Sequence, residues 1–325
     1  MISTTESQRC KQIIQDLKNE VEAQVFGKGP QVELALLAAI AEGHLLIEDV
    51  PGVGKTTLAR TLAQALGGHF QRVQCTADLL PSDLTGVNIY HPGEQSFSFQ
   101  KGPVFTHVLL ADELNRATPK AQSSLLEAME EGQVTLERLS HKLSRPFWVI
   151  ATQNPDSFAG TFMLPESQLD RFALSISLGY LSQVDERQVL LRHAKQSSSV
   201  GPKTQMSAER SESGQSINTW IELIHDRSKV EVSPELIDYM IECAHHTRQN
   251  EDLKLGVSTR AVQSWVRLCQ ARALVYGRNF VIPEDISTLL VPTLAHRIWF
   301  KRGDNSRATR VQYLETLAQS LTLPR

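Results

Sequence analysis

A short loop that follows an apolar run has the residue types that hold a polyphosphate. The run Leu45–Ile47 leads into a loop with glycines at positions 52 and 54, where missing side chains let backbone N–H groups face phosphate oxygens. Lys55 supplies a positive charge for the β- and γ-phosphates, and Thr56 supplies a hydroxyl for a magnesium ion. The predicted nucleotide contacts are Pro51, Gly52, Val53, Gly54, Lys55, Thr56 and Thr57. A nucleoside triphosphate is therefore expected here.

The residues after this loop predict a helix whose start points at the same anion. Leucines at positions 58, 62 and 66 are spaced four apart, which predicts a helix over Lys55–Leu66 with its positive N-terminal end facing the phosphates. The loop departs from the usual pattern at Asp49, where glycine is expected. An ordinary strand–turn–helix with a chance Gly-Lys-Thr would also explain the loop taken alone, so a second motif has to decide.

Polar residues also end two further apolar runs. The run that begins at Val108 ends in adjacent carboxylates, whose side chains diverge on a strand and can have different tasks. Asp112 suits a contact to magnesium, directly or through water, and Glu113 can polarise the water that attacks the γ-phosphate. Asn154 ends the next run and could hold that water or the γ-phosphate, although a turn asparagine before Pro155 is the alternative.

Composition sets broad limits on the function. The chain has 325 residues, 41% of them hydrophobic and 21% charged, with a formal net charge of −3. These values predict an ordinary soluble protein and give no sign of a general affinity for nucleic acid or an anionic membrane. No apolar segment is long enough to span a bilayer, and the N-terminus lacks the apolar core of a secretory signal, so we expect a cytoplasmic protein. The four cysteines are scattered, which predicts separate thiols rather than a metal site.

The elements that must position these residues follow from the apolar pattern. Strand-like runs occupy 44–48, 70–74, 107–111, 147–151 and 174–178. They alternate with helical or looped stretches, which predicts a parallel, doubly wound, five-stranded sheet. We therefore predict an α/β nucleotide-binding core over residues 1–180.

The remaining residues, 181–325, carry helical patterns and predict a helical lid. Good helix starts occur at Ser233, Ser258 and Pro283. The polar, low-complexity stretch 196–216 predicts a linker or mobile loop.

Several stretches of the chain carry motifs that occur together in one family. They are IEDVPGVGKTTLAR, DLLPSDLTGV, GPVF, LLADELNRATPKAQSSLLEAMEEGQVTL, ATQNP, LPESQLDRF and GVSTRA, and they cover 26–180 densely and 229–297 more loosely. The chain thereby closely resembles the MoxR family of AAA+ ATPases, in the helix-2 insert group. The resemblance implies an AAA+ P-loop NTPase core and a lid that bind ATP and Mg²⁺. It also implies a homo-oligomeric ring, most simply a hexamer.

The same resemblance assigns two arginines. Arg171, in LDRF, matches the arginine finger that reaches into the neighbouring subunit's site. Arg260, in GVSTRA, matches the sensor-2 arginine of the lid. Ser258 would cap a helix whose first turn carries Arg260 toward the nucleotide. A surface ion pair is the alternative for either arginine.

Two segments of the core predict projecting hairpins. Alternating residues in 84–105 predict a β-hairpin, at the place where the resemblance implies the helix-2 insert. Such a hairpin could grip a protein client or be a structural ornament. Its only lysine or arginine is Lys101, while Glu94 is acidic, which disfavours DNA or RNA translocation. The segment 131–144 predicts either another hairpin or a solvated loop.

The resemblance further implies a chaperone-like remodeller that helps to mature or assemble protein complexes, sometimes with metal or cofactor insertion. An adaptor with a von Willebrand factor A domain would be a separate polypeptide, and any membrane contact would come through a partner. Two alternatives remain: a chelatase-like motor subunit, and a nucleotide-gated regulatory scaffold with slow or absent hydrolysis. A nucleic-acid helicase is a distant fourth.

Overall fold

The computed structural model of the chain describes residues 2–136, 139–154, 161–197 and 216–322. Its strands are β1 (His44–Glu48), β2 (Phe70–Gln74), β3 (Gly86–His91), β4 (Ser96–Lys101), β5 (Val108–Asp112), β6 (Gln133–Leu136), β7 (Leu139–Lys142), β8 (Trp148–Gln153), β9 (Phe172–Ile176), β10 (Leu253–Leu255) and β11 (Trp299–Phe300). Its α-helices are α1 (Thr4–Glu22), α2 (Gly29–Ile40), α3 (Lys55–Ala65), α4 (Pro81–Thr85), α5 (Pro119–Glu131), α6 (Glu166–Leu169), α7 (Gln183–Ser197), α8 (Ile217–Arg227), α9 (Pro234–Gln249), α10 (Thr259–Val275), α11 (Pro283–Leu294) and α12 (Arg307–Ser320).

Five strands form the parallel central sheet, in the order β2-β5-β8-β1-β9. The predicted α/β core is confirmed, and the strand bounds agree with the predicted runs to within two residues. Strands β5 and β9 are buried at every position, as expected for a parallel sheet with helices on both faces. Because β5, β8 and β1 are neighbours, the polar residues that follow them meet at the carboxyl-terminal edge of the sheet.

Alternate residues of β1 pack into different apolar cores on the two faces of the sheet. Leu45 and Ile47 belong to the core that also contains residues of α2, α3 and the lid helices. Leu46 belongs to the core that contains residues of α5. This division follows from the two-residue period of a strand, and it fixes the sheet between two layers of helices.

The second half of the chain is helical, as predicted. The helix starts at Ser233, Ser258 and Pro283 are all present, and the Ser258 hydroxyl accepts a hydrogen bond from the backbone N of Ala261 at 3.0 Å. The lid also contains a small antiparallel sheet of β10 and β11, which the sequence did not predict because strands of three and two residues carry no periodic pattern. Residues 198–215 of the predicted linker lie outside the described residues, and the domain boundary near residue 180 stays a prediction.

Two antiparallel hairpins project from the core. Strands β3 and β4 form the first hairpin, within the predicted segment 84–105. Strands β6 and β7 form the second, so the segment 131–144 contains the hairpin and not the solvated loop that was its alternative. The rings of Phe99 and His141 stack with centroids 4.1 Å apart, so the two hairpins touch. Within the described ranges, no helix has both the length and the apolar character that a bilayer crossing requires.

Candidate nucleotide site

The loop between β1 and α3 has the backbone geometry of a phosphate cradle. Gly52 and Gly54 have φ angles of +85° and +93°, which L side chains rarely adopt. A Cβ atom at either position would have no described atom within 4 Å, so open space adjoins the loop. The helix α3 begins at Lys55, directly after Gly54, and the N–H groups of its first turn are available to an anion. All seven predicted loop residues, 51–57, therefore lie at one helix N-terminus.

Lys55 is buried at the base of the cradle. Its Nζ donates a hydrogen bond to the Asp49 carbonyl oxygen at 2.7 Å. Burial lowers the pKa of Lys55, while the nearby carboxylates of Asp112, Asp49 and Glu113 act in the opposite direction. A triphosphate placed in the cradle would add negative charge beside this ammonium and favour its charged form.

The side chain of Asp49 explains why the loop departs from the usual pattern. One carboxylate oxygen accepts hydrogen bonds from the backbone N of Leu178 at 2.6 Å and of Gly179 at 2.7 Å, and from the Ser177 hydroxyl at 3.1 Å. The other oxygen accepts one from the Val50 backbone N at 2.8 Å. A glycine cannot make these contacts. Asp49 therefore ties the start of the phosphate loop to the segment that follows β9.

A buried lysine holds the same segment from its other side. The Lys28 ammonium is 5% exposed and donates to the carbonyl oxygens of Leu178 at 2.6 Å, Gly179 at 3.1 Å and Tyr180 at 2.9 Å. The amides of this segment thus bind Asp49, and its carbonyls bind Lys28. The sequence gave no sign of this arrangement, since a lysine before a helix ordinarily predicts a solvated side chain.

We expect Asp49→Gly to weaken both the fold and ATP binding, although it restores the usual loop residue. The change removes charge-assisted hydrogen bonds to buried amides, a loss of about 2–4 kcal/mol in the free energy of unfolding. Thermal unfolding and nucleotide titration measure the two effects, with Asp49→Asn as an intermediate control because its amide oxygen still accepts. Equal or tighter ATP binding by Asp49→Gly would contradict the role of the tether.

A cavity of about 530 Å³ adjoins the cradle and has room for a nucleobase and sugar. Besides the loop glycines, it is lined by Gln24, Val25, Phe26, Lys28, Val53, Thr57, Tyr180, Leu181, Glu186, Val189 and Arg192. The Arg192 guanidinium lies 5.7 Å from the centroid of the Phe26 ring and donates to the Ala23 carbonyl oxygen at 2.8 Å. The cavity therefore joins the phosphate loop, α3 and α7 around one site.

Asp112 and Glu113 reach the same edge of the sheet and are linked by one threonine of β8. The Thr152 hydroxyl donates to Asp112 Oδ1 at 2.6 Å and accepts from the Glu113 backbone N at 2.8 Å. Glu113 has φ +56°, in the left-handed region that non-glycine residues rarely adopt and that recurs at functional sites. The oxygen donors of Thr56 and Asp112 suit Mg²⁺, which prefers few protein oxygens together with phosphates and water.

Arginine partners hold both carboxylates in the described structure. Arg72 of β2 lies against Asp112 Oδ2, with Nη2 at 2.6 Å and Nε at 3.2 Å. Arg116 Nη1 lies 2.9 Å from Glu113 Oε2. Arg72 was not predicted from the sequence, because its closeness to Asp112 depends on β2 being the neighbour of β5 in the sheet.

Asn154 follows β8 at the same edge, where its backbone oxygen accepts a hydrogen bond from Asn115 Nδ2 at 3.4 Å. Asn115 itself is buried and lies two residues after Glu113 in the chain. The predicted residues Lys55, Thr56, Asp112, Glu113 and Asn154 thus converge on one side of the sheet. This arrangement can bind a nucleoside triphosphate and activate a water molecule beside its terminal phosphate.

Arg171 and Arg260 are not at that edge. Both pair with Glu130 near the end of α5: Arg171 Nη2 lies 2.9 Å from Glu130 Oε2, and Arg260 pairs with Oε1. The neighbouring Met129 carbonyl oxygen lies 3.2 Å from His44 Nε2, at the amino end of β1. The phosphate loop follows the other end of this five-residue strand, about 17 Å away.

The structure does not bring Arg260 to the phosphate loop of its own chain, and its predicted contact with a nucleotide stays a prediction. Ser258 does cap α10, but its hydroxyl also donates to Asp170 Oδ2 at 2.8 Å, just before β9. This contact fixes the first turn of α10 beside the amino-terminal edge of the sheet. Arg260 consequently lies beside Arg171 and far from the cavity next to the phosphate loop.

Comparison with known proteins identifies the families that the chain matches. A model of the ATPase family associated with various cellular activities (AAA) matches residues 44–174, and an AAA lid domain model matches residues 245–315. The chain is 36% identical to Chaperone MoxR1 of Mycobacterium tuberculosis, over 86% of this chain and 74% of that protein. It is 43% identical to the Bacillus subtilis protein YeaC, over 84% and 83% of the two chains.

A solved structure has the same fold over nearly the whole chain. It is that of a protein from Cytophaga hutchinsonii that is provisionally described as an ATPase. The two chains are 35% identical and superpose with a TM-score of 0.84, over 99% of this chain and 98% of the other.

Proposed function

Because the chain belongs to the MoxR family of AAA+ ATPases, we propose that it hydrolyses ATP with Mg²⁺ in a ring of identical subunits, a hexamer, and remodels protein clients. One observation carries the proposal of a ring. Arg171 and Arg260 lie at the edge of the sheet opposite to the phosphate loop of their own chain. A neighbouring subunit, packed head to tail, brings these arginines to a second chain's loop, and each site is completed in this way.

Each residue at the site has a defined task in this proposal. The loop amides, Lys55 and the start of α3 bind the phosphates, while Thr56 and Asp112 hold Mg²⁺, which neutralises charge on the transferred phosphoryl group. Glu113 accepts a proton from the attacking water. Asn154 orients that water, supported by its position after β8.

In this proposal the neighbour supplies further positive charge beside the γ-phosphate. In the transition state of phosphoryl transfer, negative charge spreads over the γ-phosphate oxygens, and an arginine aimed at them from a second chain stabilises it. We propose that Arg171 and Arg260 both act in this way, across the subunit interface.

Turnover per subunit as a function of protein concentration tests the proposal. A composite site predicts that turnover rises steeply with concentration, in step with the molar mass measured by light scattering in ATP. Turnover that is independent of concentration while the protein stays monomeric would contradict it. Hydrolysis that stays near zero in assembled protein would favour the nucleotide-gated scaffold instead.

The exposed side chains of the first hairpin favour a protein client over nucleic acid. Its exposed side chains include Ile89, Tyr90 and Phe97, and Phe97 is 69% exposed. Aromatic and aliphatic side chains bind apolar protein segments, whereas a nucleic-acid motor needs lysines and arginines to neutralise phosphates. Client-stimulated turnover would support the remodeller, porphyrin-stimulated turnover the chelatase-like motor, and DNA-stimulated turnover a helicase.

We expect Phe97→Ser to abolish client stimulation and leave basal turnover unchanged. The side chain is exposed, and its hairpin is a two-stranded sheet separate from the central sheet that carries the phosphate loop. Turnover with and without an unfolded model protein measures the effect, and Ser96→Ala on the same strand is the control. Full stimulation of the Phe97→Ser variant would reject a role of the hairpin in client binding.

The proposal extends to partners and location. The client is matured or assembled with the help of an adaptor that carries a von Willebrand factor A domain, and metal or cofactor insertion is one such task. These points rest on the family alone. A cytoplasmic location, with membrane contact only through a partner, is supported by four buried cysteines that are all free thiols, as is usual in reducing compartments.

A further inference from the structure

An arginine cluster lies at the amino-terminal edge of the sheet, near Glu130 and Asp170. We define it as Arg171, Arg260, Arg267 and Arg297, with Glu130 and Asp170 as counter-charges. Arg297 is fully buried and its Nε lies 3.4 Å from Asp170 Oδ1. Burial lowers the pKa of Arg297 to about 10, and although Asp170 opposes this, Arg260 and Arg267 lower it further. The cluster as defined has four arginines and two carboxylates, an excess of two positive charges.

Glu130 divides its carboxylate between the two arginines that we assign to the neighbouring site. Oε2 pairs with Arg171 and Oε1 pairs with Arg260. Within the described ranges, neither arginine makes a second ion pair, and Arg171 Nε has no hydrogen-bond partner. One anion thus bridges two guanidinium groups, as the oxygens of a phosphate also do.

This bridge is accessible and easily exchanged. The side chains of Glu130, Arg171 and Arg260 are 33%, 28% and 43% exposed. An ion pair with this exposure contributes about 0–1 kcal/mol, since water and salt screen it. A terminal phosphate carries more charge than a carboxylate and offers three oxygens, so it competes well for the same guanidinium groups.

We propose that Glu130 is a resident anion, which holds Arg171 and Arg260 together in the free chain and is displaced by the γ-phosphate of the neighbouring subunit. The inference rests on the proposed function, because it needs a composite site. Glu130 acts as a positioning residue through the two arginines and does not touch ATP. Its carboxylate competes with assembly, so that only a neighbour loaded with triphosphate replaces it.

Glu130→Gln tests this competition. The amide has a single acceptor oxygen and no charge, so it cannot bridge both arginines. We expect the protein concentration for half-maximal turnover to fall about three- to tenfold, which corresponds to the free energy of two exposed ion pairs. The affinity of the dilute, unassembled chain for ATP should stay unchanged. Because salt screens these pairs, the ratio between the two proteins should approach one at high ionic strength.

Glu127→Gln is the matched control. Glu127 lies one turn earlier on α5, is exposed, and makes no ion pair in the part of the chain that the structure describes. The Glu127→Gln protein loses the same charge as Glu130→Gln. If the protein concentration for half-maximal turnover falls equally in both variants, the effect reflects net charge alone and the inference is overturned. Glu130→Ala repeats the test if the glutamine variant is poorly soluble.

The remaining outcomes separate this inference from the proposed function. If Glu130→Gln needs a higher concentration, or reaches a lower maximal turnover, the carboxylate supports the assembled site and displacement is wrong. If turnover depends on protein concentration in the same way for Glu130→Gln and the unmodified chain, the bridge is a surface ion pair without a role. Either result leaves the composite site standing as long as Arg171→Ala loses turnover, whereas full turnover of Arg171→Ala would remove the proposed function itself.

Discussion

The Glu113→Gln protein should bind ATP about as tightly as the unmodified chain and hydrolyse it at least about 100-fold more slowly. The Thr152 hydroxyl holds the Glu113 backbone N at 2.8 Å, in a left-handed conformation that the rest of the β5–β8 edge enforces. Glutamine keeps this geometry and most of the shape but cannot accept the proton of the attacking water. Nucleotide titration and steady-state turnover measure binding and chemistry separately.

The control for this experiment is Glu127→Gln, which removes a carboxylate far from the cradle and should leave turnover unchanged. Because the stalled protein keeps its triphosphate, it should also retain its client, and proteins that co-purify with it in ATP would identify that client. Ordinary turnover by Glu113→Gln would exclude Glu113 as the base.

The Arg171→Ala protein should also bind ATP and lose turnover, by about a factor of 10³ or more. The reason for this loss differs from that for Glu113→Gln, because Arg171 lies at the amino-terminal edge of the sheet and acts on the neighbour's phosphate. Arg171→Lys should recover little, since an ammonium lacks the planar fork of a guanidinium. Arg260→Ala should change turnover in the same direction, as expected for a residue that shares Glu130 with Arg171.

Arg9→Ala is the control for this second prediction. Arg9 is exposed and pairs with Glu222 at 2.9 Å on the outer surface, so its loss removes a surface ion pair only. Molar mass in ATP should be measured for every variant, because a chain that fails to assemble would lose turnover for another reason. Assembled Arg171→Ala protein with full turnover would contradict the finger assignment.

Local patterns in the sequence were sufficient to predict the cradle and the sheet. The strand that ends before Asp49, the glycines at 52 and 54 and the leucine spacing of α3 are all short-range features, and each reflects backbone geometry that the same residues adopt in the structure. Asp112 and Asn154 were predicted to act at one site because each ends a strand-like run, and the order of the parallel strands brings both to one edge of the sheet.

Long-range contacts were not predictable in this way. The first turn of α10 carries Arg260, but nothing in its periodicity determines which edge of the sheet the lid packs against. The contact of Ser258 with Asp170 decides that, and it joins residues 88 positions apart. The partners of Asp49 lie 128 to 130 positions away, and Arg72 reaches Asp112 across 40 positions. Such pairs depend on the order of strands and on the lid position, which local patterns do not encode.

The central claim is that every active site is shared between two chains, and mixing two inactive variants tests it most directly. Lys55→Ala lacks a working cradle but keeps Arg171, and Arg171→Ala keeps the cradle but lacks the arginine. Each alone should be inactive, while an equimolar mixture should recover about a quarter of full turnover, since one interface in four joins the two intact halves. A mixture as inactive as its components, in rings shown to contain both chains, would contradict the shared site.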